Sequence, residues 1–163
     1  MVLIRCILSL LILFFAGSCG YSSKALLRSN VRSVYIPIFD NDTFRRGLEF
    51  GLTKAVRDQI LLRTRLDIVN KDEADSILFG HISSVNENVL IESRRDDIVE
   101  SRVLIAVGIR WVDRRTGRTI VERKNIKGAA EFVVQRSETL SSSNEEVFVI
   151  VARNIVEAME EDW

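Results

Sequence analysis

Val99-Glu100-Ser101-Arg102-Val103-Leu104-Ile105-Ala106-Val107-Gly108-Ile109-Arg110-Trp111-Val112 decides the fold. Val103, Ile105, Val107, Ile109 and Trp111 alternate with Leu104, Ala106, Gly108 and Arg110, the two-residue period of a strand. Asp113-Arg114-Arg115-Thr116-Gly117-Arg118 then reads as a hairpin turn, with Gly117 supplying a positive φ. The chain returns as strand from Thr119 to about Val134.

Working outward, Leu48, Leu52, Ala55, Val56 and Ile60 recur at helical spacing, with Glu49, Lys54, Arg57 and Asp58 off that stripe. The Asp40-Asn41-Asp42-Thr43 cluster before it is expected to turn the chain and start the helix. Upstream, Val31 to Phe39 reads as a strand, with Val34, Ile36 and Ile38 on one face and Tyr35, Pro37 and Phe39 on the other. Pro37 cannot donate to a ladder, so this strand is expected at an edge or to end there. Leu66-Asp67-Ile68-Val69 and Ile77-Leu78-Phe79-Gly80-His81-Ile82 read as two further strands. At the other end, Val147, Val151, Ile155, Ala158 and Met159 form a second helical stripe, and Ser143 with Glu146 has capping-box spacing. Two helices with one apolar stripe each need a sheet face to cover. The expected fold is α+β, a two-layer sandwich of two helices on a small, mostly antiparallel sheet of four to five strands.

The N-terminus follows a different logic. Residues 1–18 hold one charge, Arg5, followed by an apolar run from Cys6 to Phe15 and then Ala16-Gly17-Ser18-Cys19-Gly20. A spanning helix needs roughly 20 apolar residues, so this run fits a secretory signal better. Small residues before a Cys resemble the lipobox of bacterial lipoproteins, in which the thiol is diacylated and becomes residue one. The expected division is signal peptide 1–18, lipidated Cys19 and tether 19–30, and domain 31–163. Gly20, rather than Asp, after the Cys favours outer-membrane sorting, and each buried acyl methylene adds about 0.8 kcal/mol of anchoring. The mature chain would have 163 − 18 = 145 residues and no free thiol.

Composition removes several function classes. The 23 Lys and Arg balance 23 Asp and Glu, which argues against a nucleic-acid partner. One His and two Cys offer little for a metal cage or nucleophilic catalysis. The carboxylate pairs Asp96-Asp97 and Glu145-Glu146 are adjacent in sequence and do not converge on one atom. No strand-to-helix turn is Gly-rich, so no phosphate loop is expected. The protein reads as a non-enzyme, without cofactor apart from covalent diacylglycerol and an N-acyl chain on Cys19. Arg94-Arg95, and Arg114-Arg115 with Arg118, are the candidate contacts for anionic headgroups.

The stretch Val31-Arg32-Ser33-Val34-Tyr35-Ile36-Pro37-Ile38-Phe39-Asp40-Asn41-Asp42-Thr43-Phe44 then gains weight. With Gly47-Leu48-Glu49, Leu52-Thr53, Glu73-Ala74-Asp75, Leu78, Gly80-His81-Ile82 and the lipobox before Gly20-Tyr21, it resembles the LptE family of lipopolysaccharide-assembly lipoproteins. The resemblance implies an α+β sandwich anchored through lipidated Cys19 on the periplasmic face of the outer membrane. It implies a plug in the lumen of an LptD-type β-barrel, which helps that barrel assemble and contacts lipopolysaccharide. In that reading Arg94 and Arg95 occupy the loop that faces lipopolysaccharide, whereas Ser141 to Asn144 offer no second basic contact. Ile36-Pro37-Ile38-Phe39 with Asn41 and Thr43 is also similar to lipoproteins that bind and activate peptidoglycan synthases. Those need a long linker, and only about a dozen residues separate Cys19 from the first strand.

Overall fold

The computed structural model describes residues 31–92, 98–133 and 140–160. The signal peptide, Cys19 with its tether, and Arg94 and Arg95 lie outside the described residues. In chain order the elements are β1 (Ser33–Tyr35), β2 (Asp40–Asn41), α1 (Leu48–Arg63), β3 (Asp67–Ile68), β4 (Ser76–Glu92), β5 (Ile98–Asp113), β6 (Thr119–Val133) and α2 (Leu140–Glu160). The sheet has six strands in the order β3-β1-β4-β5-β6, with β2 also paired to β4.

The α+β reading holds, but the sheet is mixed. The meander β4-β5-β6 is antiparallel, whereas β1 runs parallel to both β3 and β4, and β2 runs parallel to β4. The parallel part follows from connectivity. After the β1–β2 segment the chain crosses back through α1, so β3 must run the same way as β1.

Alternation along β5 is realised. Val103, Ile105, Val107 and Trp111 are fully buried against the helices, and Ile109 nearly so. From α1, Leu52, Val56 and Ile60 are fully buried; each contributes roughly 1.5–3 kcal/mol relative to exposure. The β-branched run Val147-Phe148-Val149-Ile150-Val151 lies within α2, where Val147, Val151, Ala152, Ile155 and Val156 face the core. The apolar stripe of i, i+4 and i+8 positions outweighs local strand propensity here.

Four sequence expectations need correction. The first strand is interrupted: β1 ends at Tyr35 and pairing resumes only at Asp40. Val34 and Ile36 point inward as expected, but Phe39 is buried and Ile38 is 55% exposed. Pro37 contributes no N–H and breaks the ladder, and past it the inward position shifts by one residue. Nor is this strand at an edge, since β1 lies between β3 and β4; only the expected stop near Pro37 is seen. The Asp40–Thr43 cluster turns the chain without capping α1, whose N-cap is Gly47 at φ 89° with no side-chain cap. Finally, α2 begins at Leu140, so Ser143 is inside the helix and not its cap.

The expected strand over residues 77–82 extends to Glu92, making β4 the longest strand. The hairpin after β5 does turn on Gly117, at φ 68°, with Asp113 N–H bonded to the Arg118 carbonyl at 2.9 Å.

Candidate functional site

The motif residues build two clasps. At the start of β1, the Asp75 carboxylate accepts the Arg32 N–H at 3.0 Å and the Ser33 hydroxyl at 3.2 Å. In return Ser33 Oγ accepts the Asp75 N–H at 2.9 Å, and Ser76 Oγ donates to the Ser33 carbonyl. Parallel pairing over two residues is weak, and these side-chain bonds fix its register. The Arg32 N–H, followed by the Ser33 hydroxyl, holds the Asp75 carboxyl below its ordinary value, although partial burial opposes this.

The second clasp joins β2 to α1. Asn41 Oδ1 accepts the Thr43 N–H and hydroxyl, and Asn41 Nδ2 donates to Glu49 Oε2 at 2.8 Å. Glu49 Oε2 also accepts the Gly47 N–H at 3.1 Å. Its carboxyl is held low by its own backbone N–H first, then by Asn41. One turn on, buried Thr53 accepts the Phe39 N–H and donates to the Glu49 carbonyl. The Phe39 ring in turn lies on Gly80, where any Cβ would overlap it. These residues position elements. The Asn41-x-Thr43 spacing of an Asx turn was the signal for this role.

Of the two basic clusters, Arg94 and Arg95 lie outside the described residues. The turn Asp113–Arg118 closes one end of β5. Within the turn, Arg114 is committed to the fold, donating through Nε to the Ala74 carbonyl at 2.6 Å. Arg115 and Arg118 are exposed beside Asp113, whose carboxyl is kept low chiefly by the Thr116 N–H, with the Arg115 N–H assisting.

Toward the far end of the meander, Arg45 pairs with Glu87 at 2.7 Å and Arg102 with Glu131. Neither pair was apparent in the sequence, because they join residues 42 and 29 positions apart. On the sheet face away from the helices, Arg110 lies 5.2 Å from the centroid of the Phe79 ring. His81 occupies the same face and packs onto Gly108 of β5. A groove of about 520 Å³ runs between α1 and α2, with Leu48, Gly51, Ala55, Phe148 and Val149 along it and charged residues at its rim. Among the described residues no group of three or more potential metal ligands occurs. Among them, too, no helix is long and apolar enough to cross a membrane.

Two helices on one face of a mixed sheet with a long antiparallel meander is a fold shared with solved bacterial proteins. One from Xanthomonas campestris aligns with a TM-score of 0.60 at 9% identity, covering 83% of this chain and 90% of that one. Lipoprotein B from Nitrosomonas europaea gives 0.54 at 15%, covering 82% and 88%. A minor lipoprotein from Acinetobacter baumannii gives 0.50 at 12%, covering 80% and 91%. At such identities the likeness is one of fold. No curated protein matches the chain in sequence. The family model for lipopolysaccharide-assembly proteins of the LptE type does match, over residues 31–162. The chain belongs to the LptE family.

Proposed function

We propose that this protein is an outer-membrane lipoprotein, held on the periplasmic face by acyl chains on Cys19. There it assembles with an LptD-type β-barrel, occupies its lumen, and assists insertion of lipopolysaccharide into the outer leaflet. The observation that carries this reading is membership of the LptE family across the whole folded domain. The surface supports it. Charged and polar side chains, among them Arg102, Glu131, Arg110, Lys54 and Asp58, are exposed on both layers, which suits a water-lined barrel interior. The role is structural and recognitional rather than catalytic. Lipopolysaccharide would be met by Arg94 and Arg95, whose guanidinium forks match phosphate oxygens.

In-cell crosslinking of the tagged protein, followed by mass spectrometry of what co-purifies in detergent, tests it. One large outer-membrane barrel, linked from both the helix layer and the open sheet face, is the expected result. A peptidoglycan synthase linked through one face would overturn it in favour of an activator.

A further inference from the structure

The two long edges of the meander are treated differently. The outer edge of β6 is guarded: Glu122, Lys124, Lys127 and Glu131 are exposed along it, and its register breaks opposite Val107–Ile109. Asn154 of α2 also donates to the Lys127 carbonyl at 2.8 Å. Charge, an irregularity and a covering helix are the usual protections of an edge strand.

Among the described residues, the outer edge of β4 past Ile82 has less protection, one charge and irregularities only at either end of Ser84–Val89. Up to that residue β1 and β2 pair with it. The Asp42 N–H makes the last bond, to the Ile82 carbonyl, and the chain then leaves for α1. From Ser84 to Val89, β4 keeps unbroken register with β5 between two irregularities, and among the described residues no strand lies on its other side. Asn86, Glu87 and Asn88 are exposed. The one charge in this stretch, Glu87, pairs with Arg45 at 2.7 Å yet stays exposed.

This edge is also self-complementary. Val85-Asn86-Glu87-Asn88-Val89 reads the same in both directions. An antiparallel copy centred on Glu87 sets Asn86 opposite Asn88 of the second chain, and each Val opposite a Val. Such isologous pairing about a two-fold axis is how most homodimers close. A closed β-barrel presents no free strand edge in its wall, so the wall of a barrel partner is not the complement; a second copy of this chain is. We propose that β4 pairs with β4 of a second copy through Ser84–Val89, joining two sheets across the two-fold at Glu87. This surface is independent of the barrel reading and serves the protein before or apart from barrel assembly.

The test is oxidative crosslinking of the full chain in membranes of producing cells. Antiparallel residues on a two-fold axis sit at Cα separations of about 4.5–5.5 Å, within disulfide reach. Glu87→Cys should give a covalent homodimer, and Glu122→Cys on the guarded β6 edge should not. Equal yields from both positions, or a Glu87→Cys protein crosslinked only to a different chain, would overturn the proposal. Because the pairing sets two like charges face to face, Glu87→Gln should tighten self-association by about two- to fivefold in sedimentation of the detergent-solubilised protein. A residue serving only the Arg45 ion pair would leave association unchanged, and that result too would count against it.

Discussion

Thr53, in the second turn of α1, accepts the backbone N–H of Phe39 at 3.0 Å and so ties the helix to the broken first strand. Phe39 is 2% exposed and Thr53 4%, so the bond is buried and water cannot replace it. Thr53→Val keeps the shape and removes the acceptor. It should cost about 1–3 kcal/mol, the penalty for a buried donor left unsatisfied. Thr53→Ser, which retains the hydroxyl, should recover most of that loss. Urea unfolding of the three proteins decides the matter, and a Val variant as stable as the parent would refute it.

Elements with strong periodicity were legible in the sequence. The alternation of Val103 to Trp111 and the stripe Leu48-Leu52-Val56-Ile60 report burial on one side, and both are found as read. What escaped depends on distant partners. Ser83 to Asn88 contains too few apolar residues to announce a strand, yet pairing with the apolar β5 carries β4 through it. Parallel pairing of β1 depends on the return path through α1 and on the bonds of Asp75, none of which is visible locally. Ile38 and Phe39 exchanged places because the ladder stops before Pro37 and the two-residue period does not carry through it. As for the candidate site, the sequence offered two basic clusters, but that Arg114 of one is committed to the fold depends on a distant partner, the Ala74 carbonyl, that no local pattern shows.

Asp75 gives the fold a pH dependence whose sign can be worked out. Its ordinary value is 3.8, and the Arg32 N–H and Ser33 hydroxyl lower it in the folded protein. The unfolded chain therefore binds a proton first as pH falls. The contribution to stability is fully present above about pH 5 and is lost as pH drops below 3.8 through the lower folded value. Asp75→Asn should be less stable at neutral pH and show a shallower decline between about pH 5 and 2. Urea midpoints across that range test this. Parallel curves for the two proteins would assign the acid sensitivity to other carboxylates, such as Glu49 and Asp113, whose values are also lowered.

Cys19→Ala separates anchoring from folding. The core is formed by residues from Val31 to Met159, and Cys19 precedes it. The variant should therefore keep the parent's unfolding midpoint yet leave the outer-membrane fraction. Loss of two or more acyl chains removes about 0.8 kcal/mol of membrane affinity per methylene, far more than an exposed ion pair restores. Fractionation with circular dichroism of the released protein is the measurement. An Ala variant still sedimenting with outer membranes would show that something other than the lipid holds it there.

Arg94 and Arg95 carry the last prediction, with Arg115 and Arg118 of the turn after β5 as its control. If lipopolysaccharide phosphates are met by that loop, Arg94→Asp with Arg95→Asp should weaken binding roughly ten- to a hundredfold, the loss of one charge-assisted hydrogen bond or more. Arg115→Asp with Arg118→Asp makes the same change in charge in the turn between β5 and β6. It should alter affinity only through the long-range field, which 0.15 M salt screens beyond about 8 Å. Binding of purified lipopolysaccharide to each variant at that salt therefore distinguishes a local site from general electrostatic attraction. Equal losses from the two double variants would mean that net charge, not the loop, drives binding. Undiminished binding by the first would remove Arg94 and Arg95 from the site, and unfolding melts show whether either variant has lost its fold.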